Sequence, residues 1–231
     1  MADFQFKYFS IMQDRCGMKV GTDGVLLGAW AAGGKRLLDI GTGTGVVALM
    51  MAQRFPHAEI DAIDIDSDAC QQATENVASS PFSGRVQVRH CSLQEFECSL
   101  PYDAIVSNPP FFVDSLKNPD TKRSLARHTD TLPFADLFAA AKRLLADDGY
   151  LSIVIPTEVF SRVEEEACYK GFTLLRKCSV KTVVRKEPKR LLLTFSRHRQ
   201  GALEEAVEVL QSPDGGRSAW YAQLTAEFYI K

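Results

Sequence analysis

Two short segments carry residues arranged for chemistry. "SNPPFF" sets Asn108, Pro109, Pro110 and Phe111 directly after "YDAIV", a run that reads as a strand. An amine on an aromatic ring is a weak nucleophile because its lone pair is delocalised into the ring. Acceptors that take its two N–H hydrogens localise that pair and stabilise the charge developing on nitrogen. The side-chain oxygen of Asn108 and the main-chain carbonyl of Pro109 suit this task, and two consecutive prolines fix the turn that presents them. Phe111 offers a flat face for a base, a contact worth about 1 to 3 kcal/mol in nucleic-acid binders. Taken alone, the same turn equally well ends a strand, with its aromatics capping the core. No general base is needed, since the proton becomes acidic only after the amine has reacted.

The second segment, "LLDIGTGTG", places Asp39 at a strand end and Gly41, Gly43 and Gly45 in the turn that follows. Glycines there admit a ligand closer to the backbone than any side chain would. A dinucleotide fingerprint needs glycine or alanine where Val46 stands, and a phosphate loop needs a Gly-Lys-Ser/Thr that does not follow. The remaining pattern, D-x-G-x-G-x-G, resembles the nucleoside-binding loop of class I S-adenosylmethionine-dependent methyltransferases. A carboxylate closing the next strand would accept from both ribose hydroxyls. "DAIDIDSDA" supplies Asp64 there, with Ile65 to pack on the adenine and Asp66 and Asp68 as first-turn acids of a helix. Related enzymes usually place an aspartate for the adenine amine after the third strand. Here "RHCSLQEF" has Ser92, a weaker acceptor, and Cys91 or the backbone around Leu93 is the alternative.

The elements that must position these segments alternate. Apolar runs at 36–40, 58–64, 85–90, 102–107 and 150–155 read as strands, with helices between them, which argues for β-α-β units around a mainly parallel sheet. Helices are expected from Gly45, from Ser67 (as N-cap) to Ala78, through "PFADLFAAAKRLLADDG" to Gly149, and after Pro156. "FTLLRKCSVKTVV" and "RLLLTFSRH" read as an antiparallel pair around a charged turn. "EEAVEVLQ" suits helix or strand, and "AWYAQLTAEFY" reads as helix. In "KVGTDGVLLGAW", Thr22 or Asp23 would cap a short helix that packs Val25, Leu26 and Leu27 inward.

Further blocks narrow the likeness. "FQFKYFSIMQDRCGMKVGTDGVLLGAWA", "SNPPFF", "LARHTDTLPF" and "PKRLLLTF" closely resemble the bacterial tRNA1(Val) adenine-37 N6-methyltransferase family over most of the chain. The resemblance implies a class I fold, α/β and Rossmann-like, with a doubly wound, mostly parallel seven-stranded sheet and an antiparallel terminal hairpin. It also implies S-adenosylmethionine as methyl donor and an anticodon-loop adenine of tRNA as acceptor. It carries the amine-binding turn to Asn108, Pro109, Pro110 and Phe111, and the cofactor site to Asp39, Gly41, Gly43, Gly45 and Asp64; Ser92 departs from its usual acid. Lys19, Thr22 and Asp23 would form a wall at the methionine end, as such N-terminal segments do in relatives.

Composition sets the bounds. With 231 residues, 45% of them hydrophobic, one core is ample and two large domains are not expected. Residues 1–231 are read as a single domain, with a 1–33 extension forming part of the cofactor pocket, a mobile substrate loop at 113–131 and a C-terminal appendage at 201–231. The net charge of −2 conceals a basic stretch: nine Lys or Arg from Arg176 to Arg199 face one acid, Glu187. Phosphate contacts are therefore assigned to Arg185, Lys186, Lys189 and Arg190, with Lys181, and in the long loop to Lys122, Arg123 and Arg127, with Lys117. A solvated face is the alternative for each run. Scattered cysteines and histidines show no ligand spacing, so no metal is expected, and no apolar run is long enough to span a bilayer. The expectation is a cytoplasmic monomer. Rival acceptors are rRNA guanine N2, DNA adenine N6 and a protein glutamine; the rival class is a non-catalytic RNA-binding protein that kept the fold.

Overall fold

The computed structural model describes residues 3–16, 19–110, 132–198 and 202–230. In chain order the elements are a two-stranded hairpin, β1 (Phe4–Gln5) and β2 (Ser10–Ile11), then α1 (Thr22–Trp30), β3 (Arg36–Ile40), α2 (Val46–Arg54), β4 (Glu59–Asp64), α3 (Ser67–Ala78), β5 (Val86–His90) and β6 (Tyr102–Ser107). There follow α4 (Phe134–Leu144), β7 (Leu145–Pro156), a 3-10 turn at Thr157–Val159, α5 (Phe160–Tyr169), β8 (Thr173–Lys181), β9 (Arg190–Ser196), β10 (Glu204–Val209) and α6 (Ala219–Leu224).

The main sheet has the order β10-β8-β9-β7-β6-β3-β4-β5, and within it β9 is antiparallel to both of its neighbours. Both faces are covered, which is why the central strands read as near-continuous apolar runs. Leu37, Ala62, Ala104 and Val106 point into one core with α1 and α2, while Leu38, Ile40, Ile63 and Ile105 point into the other with α4 and α5. From β3 the chain winds through β4 to β5 on one side, and from β6 it winds to β7 on the other. The switch in strand order therefore falls between β3 and β6, the place where open α/β sheets bind ligands beyond their strand ends.

Several local expectations change. The fourth-strand pairing extends earlier than the apolar run suggests: α4 stops at Leu144, because Leu145 pairs with Tyr102 before a bulge leads to the Ala104–Tyr150 pair. Residues 145–149 thus belong to β7 rather than to the helix, and a Cβ at Gly149 would meet Tyr102 O at 3.0 Å. Asp66, not Ser67, caps α3, its carboxylate accepting from the N–H groups of Asp68 and Ala69. Gly21 occupies the cap of α1 with no side-chain bond, leaving Thr22 and Asp23 for other partners. "EEAVEVLQ" resolves as strand: β10 adds an eighth member to the sheet, parallel to β8. Its acidic outer edge, Glu204, Glu205 and Glu208, discourages further strand pairing.

Two buried amides of α3 tie down the N-terminal segment: Gln72 accepts from Arg15 N at 3.0 Å, and Asn76 makes three bonds. Asn76, 1% exposed, donates to Met12 O and Thr44 O at 2.9 Å each and accepts from Met12 N at 2.8 Å. Asn76→Ala leaves three backbone groups without that partner and is expected to cost about 2 to 4 kcal/mol in denaturant unfolding. An unchanged midpoint would show that the N-terminal segment is held by Gln72 and its aromatic contacts instead.

Candidate active site

The two chemistry-bearing segments leave adjacent strands side by side. Ile40 and Ser107 are register partners in the β3–β6 pair, and the Ser107 hydroxyl donates to Ile40 O at 2.8 Å. Gly41 and Asn108, the next residue on each strand, therefore begin about 5 Å apart, the spacing of neighbouring strands. Both segments line one cleft of about 1020 Å³, large enough for a nucleoside-sized ligand and part of a second.

Positive φ angles of 71°, 56° and 81° at Gly41, Gly43 and Gly45 make the loop a glycine requirement rather than a preference. Open space lies where a Gly41 side chain would be, and Gly45 packs against Ala73 of α3. The end of β4 clips the loop in place: Gly41 N and Thr42 N donate to Ile63 O, and Gly43 N donates to Asp64 Oδ2 at 2.8 Å. The other Asp64 oxygen accepts from Asp66 N at 3.0 Å. An ionised carboxylate has about four acceptor positions, so Asp64 keeps capacity for hydroxyl donors in the cleft it lines.

Asp39 does not line that cleft. It lies under the loop at 1% exposure, where Oδ2 accepts from the Thr42 hydroxyl at 2.7 Å and from Ala48 N at 3.2 Å. Burial pushes its carboxyl up to about 7, the two hydrogen bonds oppose that rise, and the nearby Asp64 charge adds to it. A folded-state value above the unfolded one means that the folded protein holds the proton more tightly. Stability from this group is present in full below about pH 4 and is lost as pH rises through 7. Asp39→Asn keeps both acceptor contacts without the charge, so the variant should gain on the ligand-free wild type by about 3 kcal/mol between pH 5 and pH 8.5. Urea unfolding at the two pH values checks this, and a pH-independent difference contradicts it.

The N-terminal segment walls one side through Cys16, Lys19, Thr22 and Asp23. Lys19 Nζ donates to the carbonyls of Gln13 and Cys16. Asp23 Oδ2 receives Arg190 Nε at 2.7 Å, so Arg190, expected to meet RNA, stands in the cleft wall as an ion pair. Arg185, Lys186 and Lys189 are exposed on the turn before it. Because Arg190 pairs with Pro156 at the carboxyl end of β7, this turn shares the rim with the cleft.

At the opposite end, Ile65 is 53% exposed and lines the cleft. Ser92 does not line it: its hydroxyl donates to Glu95 Oε2 at 2.7 Å and accepts from Glu95 N, capping the turn that follows β5. Cys91, Leu93 and Gln94 face the cleft instead, together with Asp136 from the first turn of α4. Sequence reasoning missed Gln94 and Asp136, since a first-turn acid has an ordinary helix-dipole explanation. Phe111, Lys117, Lys122, Arg123 and Arg127, with the whole of loop 113–131, fall outside the described residues. Among the described residues no cluster of His, Cys, Asp or Glu has a metal-holding arrangement.

Comparisons with known proteins agree with this geometry. Residues 20–176 match the model of the methyltransferase small domain. The tRNA1(Val) (adenine(37)-N6)-methyltransferase of Parabacteroides distasonis is 47% identical over 99% of this chain and 98% of its own length. The chain belongs to that methyltransferase family. Among solved structures, a predicted O-methyltransferase from Agrobacterium tumefaciens superposes with a TM-score of 0.71, covering 89% of this chain and 96% of that one at 17% identity. The glycopeptide N-methyltransferase MtfA, solved with S-adenosyl-L-methionine, gives 0.57 over 78% of this chain and 90% of that one at 11% identity. At such identities the likeness speaks for the family's fold: the expected doubly wound sheet with its antiparallel β9, extended here by β10.

Proposed function

We propose that the chain transfers a methyl group from S-adenosylmethionine to the exocyclic N6 of adenine 37 in the anticodon loop of tRNA1(Val). The observation that carries this reading is the Ile40–Ser107 pairing, which delivers the glycine loop and the Asn108-Pro109 turn to one cleft. The residues fit the cofactor. Gly41 opens toward the cleft where a Cβ would otherwise project, Asp64 retains acceptor capacity for ribose hydroxyls, and Ile65 offers an apolar face to a purine. Lys19 and Thr22 would wall the amino-acid arm. When bound, the cofactor supplies a sulfonium methyl whose C–S bond breaks as the new N–C bond forms.

The chain's own part is to prepare the nucleophile. Asn108 Oδ1 and Pro109 O accept the two amine hydrogens, which localises the nitrogen lone pair and stabilises its developing positive charge. The Pro109-Pro110 pair holds both acceptors in place before substrate arrives, so little reorganisation is spent at the moment of reaction. The surplus proton leaves to water. An anticodon-loop adenine is unpaired or weakly stacked, and extruding it costs less than from a duplex. Arg185, Lys186 and Lys189 on the shared rim would hold tRNA phosphates, and Arg190 would meet the nucleotide nearest the cleft. Among the described residues no helix is long and apolar enough to cross a membrane; the reading is of a monomer that acts on tRNA in the cytoplasm.

The test is methyl transfer from labelled cofactor to tRNA lacking the modification, followed by nucleoside analysis. Label in N6-methyladenosine at position 37 supports the reading. Label in N2-methylguanosine, or none in RNA, overturns it.

A further inference from the structure

The loop after β5 and the start of α4 close the far end of the cleft by a contact that the proposed reaction leaves unused. Gln94 Nε2 donates to Asp136 Oδ2 at 2.9 Å, and both residues line the cleft. Arg143, further along α4, fastens the same loop: its guanidinium donates to Phe96 O at 2.6 Å and Leu93 O at 3.0 Å. The loop also joins the ribose-side acid, since Cys91 N donates to Asp64 O at 3.0 Å. Asp64, Ile65, Gln94 and Asp136 line the same cleft, so a purine with its ribose at Asp64 and its face on Ile65 can reach this corner with its six-membered edge. Ser92, the position where an adenine-amine acceptor was expected, is engaged with Glu95 and stands outside the cleft.

We propose that Asp136, held by Gln94, is the acceptor that reads the cofactor's adenine amine, so that α4 supplies the carboxylate absent at position 92. This rests on the cofactor reading above and adds a specificity-determining residue to it. The Gln94 amide occupies Oδ2 and fixes the rotamer, leaving Oδ1 to accept an N–H. A carboxylate accepts only, so a purine with oxygen in place of the amine would bring two acceptors face to face. An asparagine at 136 can turn its NH2 toward that oxygen, and the discrimination should collapse.

The experiment is calorimetric binding of S-adenosylhomocysteine and of its 6-oxo analogue, S-inosylhomocysteine, to the full chain. The wild type should favour the adenine compound on the order of 50-fold, the scale of a good base-edge contact. Asp136→Asn should bring the two affinities within about fivefold, and Gln94→Ala should lower the ratio partway, because it frees the Asp136 rotamer. A helix-dipole role alone would lower stability and leave the ratio untouched, and an unchanged ratio in Asp136→Asn overturns the proposal. Wild-type protein that binds neither compound would instead remove the cofactor reading on which it rests.

Discussion

Asn108→Ala should lower kcat about 100- to 1000-fold, the range seen when one preorganised hydrogen-bonding group is removed from a reacting centre, while the Kd for S-adenosylmethionine stays within a few-fold. The argument is positional. Ser107 ends β6 fully buried with its hydroxyl on Ile40 O, so the backbone that presents Asn108 is fixed by the sheet and not by the Asn108 side chain. Truncating that side chain removes an acceptor from the amine without loosening the glycine loop. Single-turnover rates with the stem-loop substrate, measured beside calorimetry with cofactor, separate the two effects. A parallel loss of rate and cofactor affinity would make Asn108 a structural residue of the turn.

The second large effect is the reverse pattern at Asp64. Its carboxylate holds Gly43 N and Asp66 N while facing the cleft, so Asp64→Ala removes the proposed ribose acceptor and releases the glycine loop together. Two lost contacts of about 1.5 kcal/mol each predict a cofactor Kd weaker by about 100-fold or more, with kcat at saturating cofactor reduced far less. Asp64→Asn is the control: its side-chain oxygen can still accept from one donor, so it should fall between. Equal affinities for wild type and Asp64→Ala would place the ribose elsewhere.

The site was legible in the sequence wherever a backbone requirement forced a residue type. Gly41, Gly43 and Gly45 are needed at positive φ, and Asp64 follows from a strand end beside them, so motif and geometry report the same constraint. Strands β3, β6 and β9 were readable because burial on both faces leaves near-continuous apolar runs. What could not be read is what depends on a partner distant in sequence. The end of α4 was misjudged because Leu145 answers to Tyr102 and not to helical periodicity. Asp39 looked like a cofactor ligand, yet it supports the loop from below through Thr42 and Ala48. Arg190 looked like a free basic residue until β9 brought it to Asp23. Asp136 carries no motif at all, and only the packing of α4 on the loop after β5 shows that it faces the cleft.

The most direct measurement is a structure of the chain with S-adenosylhomocysteine and an anticodon stem-loop bearing adenine at position 37. The account predicts the cofactor product over Gly41 to Gly45 and the adenine amine donating to Asn108 Oδ1 and Pro109 O. An adenine bound outside this cleft, or one whose amine meets other acceptors, would contradict it.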